Sequence, residues 1–118
     1  MIEGMLVLEE WISQSDDDLE IWASVSVGFD SEKKLAVKLE YIDYEDESNN
    51  KLVCAFVSFE DAYNMAKLLN VRLTELPRVV RERCGRRSAT MVPSQVESCF
   101  REVLDFIVSY GIRYKLCQ

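Results

Sequence analysis

No histidine occurs among the 118 residues of this chain, and that absence excludes a large share of enzyme chemistry. Imidazole is the side chain whose charge changes near neutral pH, so neither a histidine base nor a mixed thiolate and imidazole zinc set can be assembled. Glycine and proline are also scarce, at four and two residues. A chain so poor in both is not a disordered or linker sequence, and it contains no glycine-rich phosphate loop. Long apolar runs are missing too. The longest, such as Met5–Leu8 and Val53–Val57, fall far short of the ~20 residues that span a bilayer, so no membrane is expected as a partner. Met1-Ile-Glu-Gly carries neither a basic stretch nor an apolar one, so no secretion signal is read and a cytoplasmic location is expected.

Cysteine is present but not in a ligating pattern. Cys54, Cys84, Cys99 and Cys117 stand 30, 15 and 18 residues apart, with no C-x-x-C pair. In a reducing compartment such thiols pack as small hydrophobes. Cys84, between Arg83 and Gly85, has cationic neighbours that lower a thiol pKa but no base partner, and it reads as a helix-end thiol. No metal and no cofactor is expected.

What the first half lacks is positive charge. Residues 1–50 hold 14 Asp and Glu against Lys33, Lys34 and Lys38, a balance of −11. Residues 51–118 hold 7 acids against 11 bases, a balance of +4, with six arginines between Arg72 and Arg87. Such sorting bears on partners and association rates rather than on fold.

Hydrophobic periodicity divides the chain in the same place. Met5–Ile12 is an apolar run. In Glu20–Val27, Ile21, Ala23, Val25 and Val27 alternate with Trp22, Ser24 and Ser26. Lys34–Tyr44 repeats the pattern, with Leu35, Val37, Leu39 and Tyr41 opposite Lys38 and Glu40. Period-two alternation predicts strands with one buried face. Lys51–Phe59 is apolar on both faces, as a more central strand would be. The connectors Gln14–Asp18, Gly28–Lys33 and Glu45–Asn50 are short and rich in turn formers. Beyond residue 58 the period becomes helical. Ser58-Phe-Glu-Asp61 and Ser94-Gln-Val-Glu97 fit capping boxes, and Thr74 is placed to cap a short helix with Pro77 in its first turn. Val96, Cys99, Phe100, Val103, Leu104, Ile107 and Tyr110 share one helical stripe before Gly111, and Ile112–Cys117 alternates again. The expected fold is one α+β domain over residues 1–118. It is an antiparallel meander of four to five strands with three helices after strand four, in the order β-β-β-β-α-α-α-β.

Two charged constellations compete as the working surface. In a meander, the first and third connectors share one end of the sheet. That arrangement gathers Asp16, Asp17 and Asp18 with Asp43, Glu45, Asp46 and Glu47, beside Tyr41 and Tyr44. Neither acidic segment has the spacing of a calcium loop. A negative edge of this kind suits a basic protein surface, with Tyr41, Tyr44 and Trp22 supplying apolar contact area.

The other constellation is basic. Arg72, Arg78, Arg81, Arg83, Arg86 and Arg87 surround the second helix, and arginine forks suit phosphate or carboxylate. The segment Ala66-Lys-Leu-Leu-Asn-Val-Arg-Leu-Thr-Glu-Leu-Pro-Arg-Val79 resembles the turn region of a helix-turn-helix. Ala66 holds the small position, Asn70 the turn, and Leu76 and Val79 the apolar positions of the second helix. The resemblance, spanning 62–84 in its widest reading, implies a nucleic-acid surface of Arg72, Thr74, Arg78 and Arg81, with Arg86 and Arg87 beyond.

Catalytic motifs are absent: no G-x-S-x-G, no His-Glu metal motif and no carboxylate pair placed in one cleft. A non-enzymatic binding protein is therefore expected. In size, acidity and lack of catalytic groups the chain resembles the broad class of immunity proteins and other small inhibitors of toxins or nucleases. That likeness implies a basic protein partner, and a nucleic-acid-binding regulator is the alternative. A chain so dipolar can also stack head to tail as a homo-oligomer.

Overall fold

Strand alternation decides how the layers assemble in the computed structural model, which describes residues 7–15, 21–84 and 93–117. Five strands form one sheet: β1 (Val7–Gln14), β2 (Ile21–Phe29), β3 (Leu35–Asp43), β4 (Lys51–Val57) and β5 (Lys115–Cys117). Their spatial order is their chain order, and every neighbouring pair is antiparallel. Helices α1 (Phe59–Leu69), α2 (Leu76–Cys84) and α3 (Pro93–Val108) lie between β4 and β5 in the chain. The fold is the expected α+β arrangement, and no described helix is long and apolar enough to cross a membrane.

One face of the sheet carries Val25, Val27, Leu35, Val37, Leu39, Val53, Ala55 and Val57. These pack against Met65, Leu76, Val80, Val96, Val103 and Ile107 from the helices in a single buried cluster. Removal of apolar surface from water, at roughly 25 cal/mol per Å², is the main stabilising term. Helix α3 lies across β1, β2 and β3, while α2 covers β1 and β2. The apolar spacing of Leu76, Val80 and Cys84 puts one stripe of α2 in the core and leaves its charged residues to the rim.

The opposite face is read from register. Trp11, Ser26, Lys38, Cys54 and Cys117 are successive cross-strand partners, so they form one row across all five strands. Two irregularities in β1, between Val7 and Glu10 and between Trp11 and Ser13, adjust which residues join that face. Leu8 sits in the left-handed region at φ 56°, as the first residue of a bulge does. Beyond it, Glu9 meets Lys38 on the face that the described helices leave open, and Glu10 meets Arg81 of α2 on the other.

Two helix starts differ from the expected ones. Thr74 does not cap α2: residues Leu73–Glu75 form a 3-10 turn, the Glu75 carboxylate accepts the Arg72 N–H at 3.0 Å, and α2 begins at Leu76. Ser94 lies inside the first turn of α3, which starts at Pro93, where a missing N–H is harmless. By contrast, Ser58 Oγ accepts the Asp61 N–H at 3.2 Å as a true N-cap, and Asn70 closes α1 in the left-handed conformation.

Candidate partner-binding surface

The connector from β3 to β4 is held by its own acids. Asp43 ends β3 as a residue with little exposed surface. Asp43 Oδ1 accepts the N–H groups of Glu45 (3.0 Å) and Asp46 (3.1 Å), and Oδ2 accepts Asn49 Nδ2 (3.0 Å). Asn50 Oδ1 in turn accepts the Asp43 N–H at 2.7 Å. Asp46 Oδ1 accepts both the N–H (3.0 Å) and the hydroxyl (2.6 Å) of Ser48, capping a 3-10 turn over Glu47–Asn49. Donation from the Asn49 amide, and then from the Glu45 N–H, holds the Asp43 carboxyl below its usual pKa. Two of the four connector acids are therefore engaged in shaping the loop. Tyr44, 65% exposed, and the exposed Glu45 and Glu47 are what it presents.

The remaining candidate residues are divided among three places. Ile21 pairs with Asp43 in register, so the connector from β1 to β2 enters at the same end of the sheet as the acidic loop. Asp16, Asp17 and Asp18 themselves lie outside the described residues. Tyr41 points to the helix side, where its hydroxyl donates to Glu97 Oε2 at 3.0 Å and Lys51 Nζ sits 5.1 Å from its ring centre. Burial, reinforced by that carboxylate, pushes the Tyr41 phenol up to about 12. Tyr41 thus ties β3 to α3 and is half-buried. Trp22 lies on the open face of the sheet, its ring centre 6.1 Å from that of Trp11.

That open face holds residues that composition did not single out. Lys38 Nζ lies 3.3 Å from Glu9 Oε2, and the Oγ atoms of Ser24 and Ser26 are buried with no hydrogen-bond partner among the described residues. A lysine interrupting the apolar run Leu35–Leu39 was the available signal. Its partner Glu9 depends on the β1 bulge and has no signature in sequence.

The arginines are partly committed. Arg78 Nη2 lies 2.9 Å from Glu75 Oε2, and Arg81 Nε lies 3.3 Å from Glu10 Oε1. Arg72 and Thr74 are exposed at the turn before α2, while Arg86 and Arg87 lie outside the described residues. Arg78 and Arg81 thus face carboxylates of this chain, which counters their charge toward phosphate.

At the far end of the sheet, a mainly apolar cavity of about 460 Å³ opens between Val7, Leu8, Phe29, Phe59 and Leu73, away from the acidic loop. Cys84 carries no sign of activation: burial pushes its thiol up to about 11. No group of residues with metal-ligating geometry occurs among the described residues. No family model, curated protein or solved structure matches this chain.

Proposed function

We propose that this protein is a non-enzymatic binding module of the immunity or inhibitor kind, which occludes a basic surface of a partner protein with the acidic end of its sheet. The observation that carries the reading is the pre-shaped connector from Asp43 to Asn50. Its internal hydrogen bonds fix the backbone before any partner arrives, and they leave Tyr44, Glu45 and Glu47 projecting. Pre-ordering lowers the cost of immobilising an interface, about 0.5–1.5 kcal/mol for each flexible side chain. An exposed tyrosine flanked by carboxylates supplies contact area and charge complementarity together. The surplus of 11 negative charges in residues 1–50 supports steering toward a basic surface.

The test is an affinity capture with the full chain immobilised, at low and at moderate salt, with and without nuclease. Mass spectrometry identifies what is retained. The expected result is a basic protein held despite nuclease and released by the triple change Tyr44→Ala, Glu45→Lys, Glu47→Lys. Retention of the same protein by the triple variant would overturn the reading. Recovery of nucleic acid in its place would do the same and return attention to Arg72 and its neighbours.

A further inference from the structure

Cys54 and Cys117 are direct cross-strand partners of β4 and β5, and they share the open face of the sheet with Lys38, the partner of Cys54 on its other side. Cross-strand partners in an antiparallel pair have Cα atoms about 4.5–5.5 Å apart, inside the 4.4–6.8 Å range that a disulfide spans. Both thiols are free, Cys117 is exposed and Cys54 is half-buried. Burial raises the Cys54 thiol above its usual value, the Lys38 ammonium works against that rise, and the nearby Cys117 and Glu40 add to it.

We propose that Cys54 and Cys117 form a redox-responsive pair, closing a cross-strand disulfide when the chain meets an oxidised small-molecule disulfide such as glutathione disulfide. The Cys117 thiolate attacks one sulfur of glutathione disulfide, forming a mixed disulfide and expelling one glutathione thiolate. The Cys54 thiolate then attacks Sγ of Cys117, forming the protein disulfide and expelling the second glutathione. Each protein thiol loses its proton to solvent, each departing glutathione takes one up, and two electrons pass from the protein to the glutathione. Access decides the order of attack, because Cys117 is open while Cys54 is partly covered by its neighbours.

The consequence is local. β5 is a three-residue strand at the edge of the sheet, all three residues exposed, and among the described strands it pairs with β4. A short edge strand opens readily, and a covalent link at Cys117 removes that freedom. Cys84 and Cys99 supply an internal contrast. They too are near one another, but both are buried among α2 and α3, so neither offers the exposed first thiol that Cys117 provides. They are expected to stay reduced under the same conditions.

The experiment uses the full chain equilibrated in glutathione buffers of increasing oxidised fraction, acid-quenched and read by intact mass, alkylation after unfolding and peptide mapping. The expected product is a monomer lighter by two hydrogens, with alkylatable thiols falling from the four of the reduced chain to two. The cross-linked peptides should be those containing Cys54 and Cys117. The Cys117→Ser variant should never lose the two hydrogens, and Cys54→Ser should stop at a glutathione adduct on Cys117. Three results would overturn the proposal: a Cys84–Cys99 link, a dimer joined through Cys117, or a wild-type chain that halts at the mixed disulfide. These readouts are independent of the binding function above, so either can fail alone.

Discussion

Lys38 and Glu9 meet on the open face of the sheet with Nζ 3.3 Å from Oε2, and only 8% of the lysine side chain and 21% of the glutamate side chain are exposed. Removing one member of such a pair leaves a charge in a poorly solvated place. Glu9→Gln is expected to lower unfolding stability by about 1–3 kcal/mol, less than the 3–5 kcal/mol of fully buried pairs because the glutamate keeps some water. The deficit should persist at high salt, since shielded charges are weakly screened. Urea denaturation of both proteins at two ionic strengths measures it; equal stability would mean that the pair contributes nothing.

Tyr41 gives an alkaline signature. Its phenol is raised from the ordinary 10 to about 12 by burial, reinforced by donation to Glu97. A raised folded-state pKa contributes stability that is complete below the unfolded value, near 10, and is lost as pH climbs through the folded value, near 12. Tyrosinate absorbance should therefore show one phenol titrating late, near 12, and Tyr41→Phe should delete that late step. The same change should lower stability at neutral pH by about 1 kcal/mol, the worth of one hydrogen bond.

Asp43 makes the binding loop testable without any partner. With its carboxylate removed in Asp43→Ala, the Glu45 and Asp46 N–H groups and the Asn49 amide lose their acceptor. Hydrogen exchange at Glu45 and Asp46 should accelerate while amides in β2 and β3 stay protected. The sign with pH follows from the lowered Asp43 pKa: its contribution is present above the unfolded carboxylate value and is lost as pH falls through the folded one. Unchanged exchange at both amides would show that the loop holds its shape by other means.

These three sites show which features sequence can carry. Alternation in Ile21–Phe29 and Leu35–Asp43 was legible because a sheet packed on one side demands a period of two. The helix stripe from Val96 to Ile107 was legible for the matching reason. Trp22 was legible only to its face: alternation placed it with Ser24 and Ser26, but which face the helices covered was a tertiary matter. Tyr41 and Asp43 were read as contact residues because they lie in an acidic, aromatic stretch. Their partners Glu97 and Asn49 are chosen by packing and by loop geometry, which composition does not encode. Lys38 with Glu9 was hidden by the register shift between Trp11 and Ser13, since one inserted residue changes the face on which every preceding side chain of the strand lies.

Arg78 and Arg81 allow the nucleic-acid alternative to be tested directly. Both are paired with carboxylates, Glu75 and Glu10, at partly exposed positions. Such pairs are worth about 0–1 kcal/mol, so Arg78→Ala with Arg81→Ala should barely alter stability. Retention of the wild-type chain on duplex DNA at physiological salt is expected to be at background. Retention that falls steeply with salt and disappears in the double variant would reinstate the arginine surface, because each neutralised phosphate adds to the salt slope.

The turn between β2 and β3 offers a stabilising change. The Lys33 N–H donates to the Asp30 carbonyl at 3.1 Å, the Asp30 N–H to the Lys34 carbonyl at 2.9 Å, and Asp30 Oδ1 accepts the Glu32 and Lys34 N–H groups at 2.8 Å each. This network holds Lys33 at φ 64°, the left-handed region, with its side chain exposed. For a residue with a Cβ that conformation costs about 1–2 kcal/mol, whereas glycine enters it freely. Glycine also gives the unfolded chain more freedom, which offsets about 0.5–1 kcal/mol of the gain. Lys33→Gly is therefore expected to raise stability by about 0.5–1 kcal/mol, read as a higher urea midpoint at unchanged slope. Lys33→Val, which adds β-branching at the same backbone angle, should move the midpoint the other way. If glycine and valine shifted it together, the left-handed strain would not be what limits this turn.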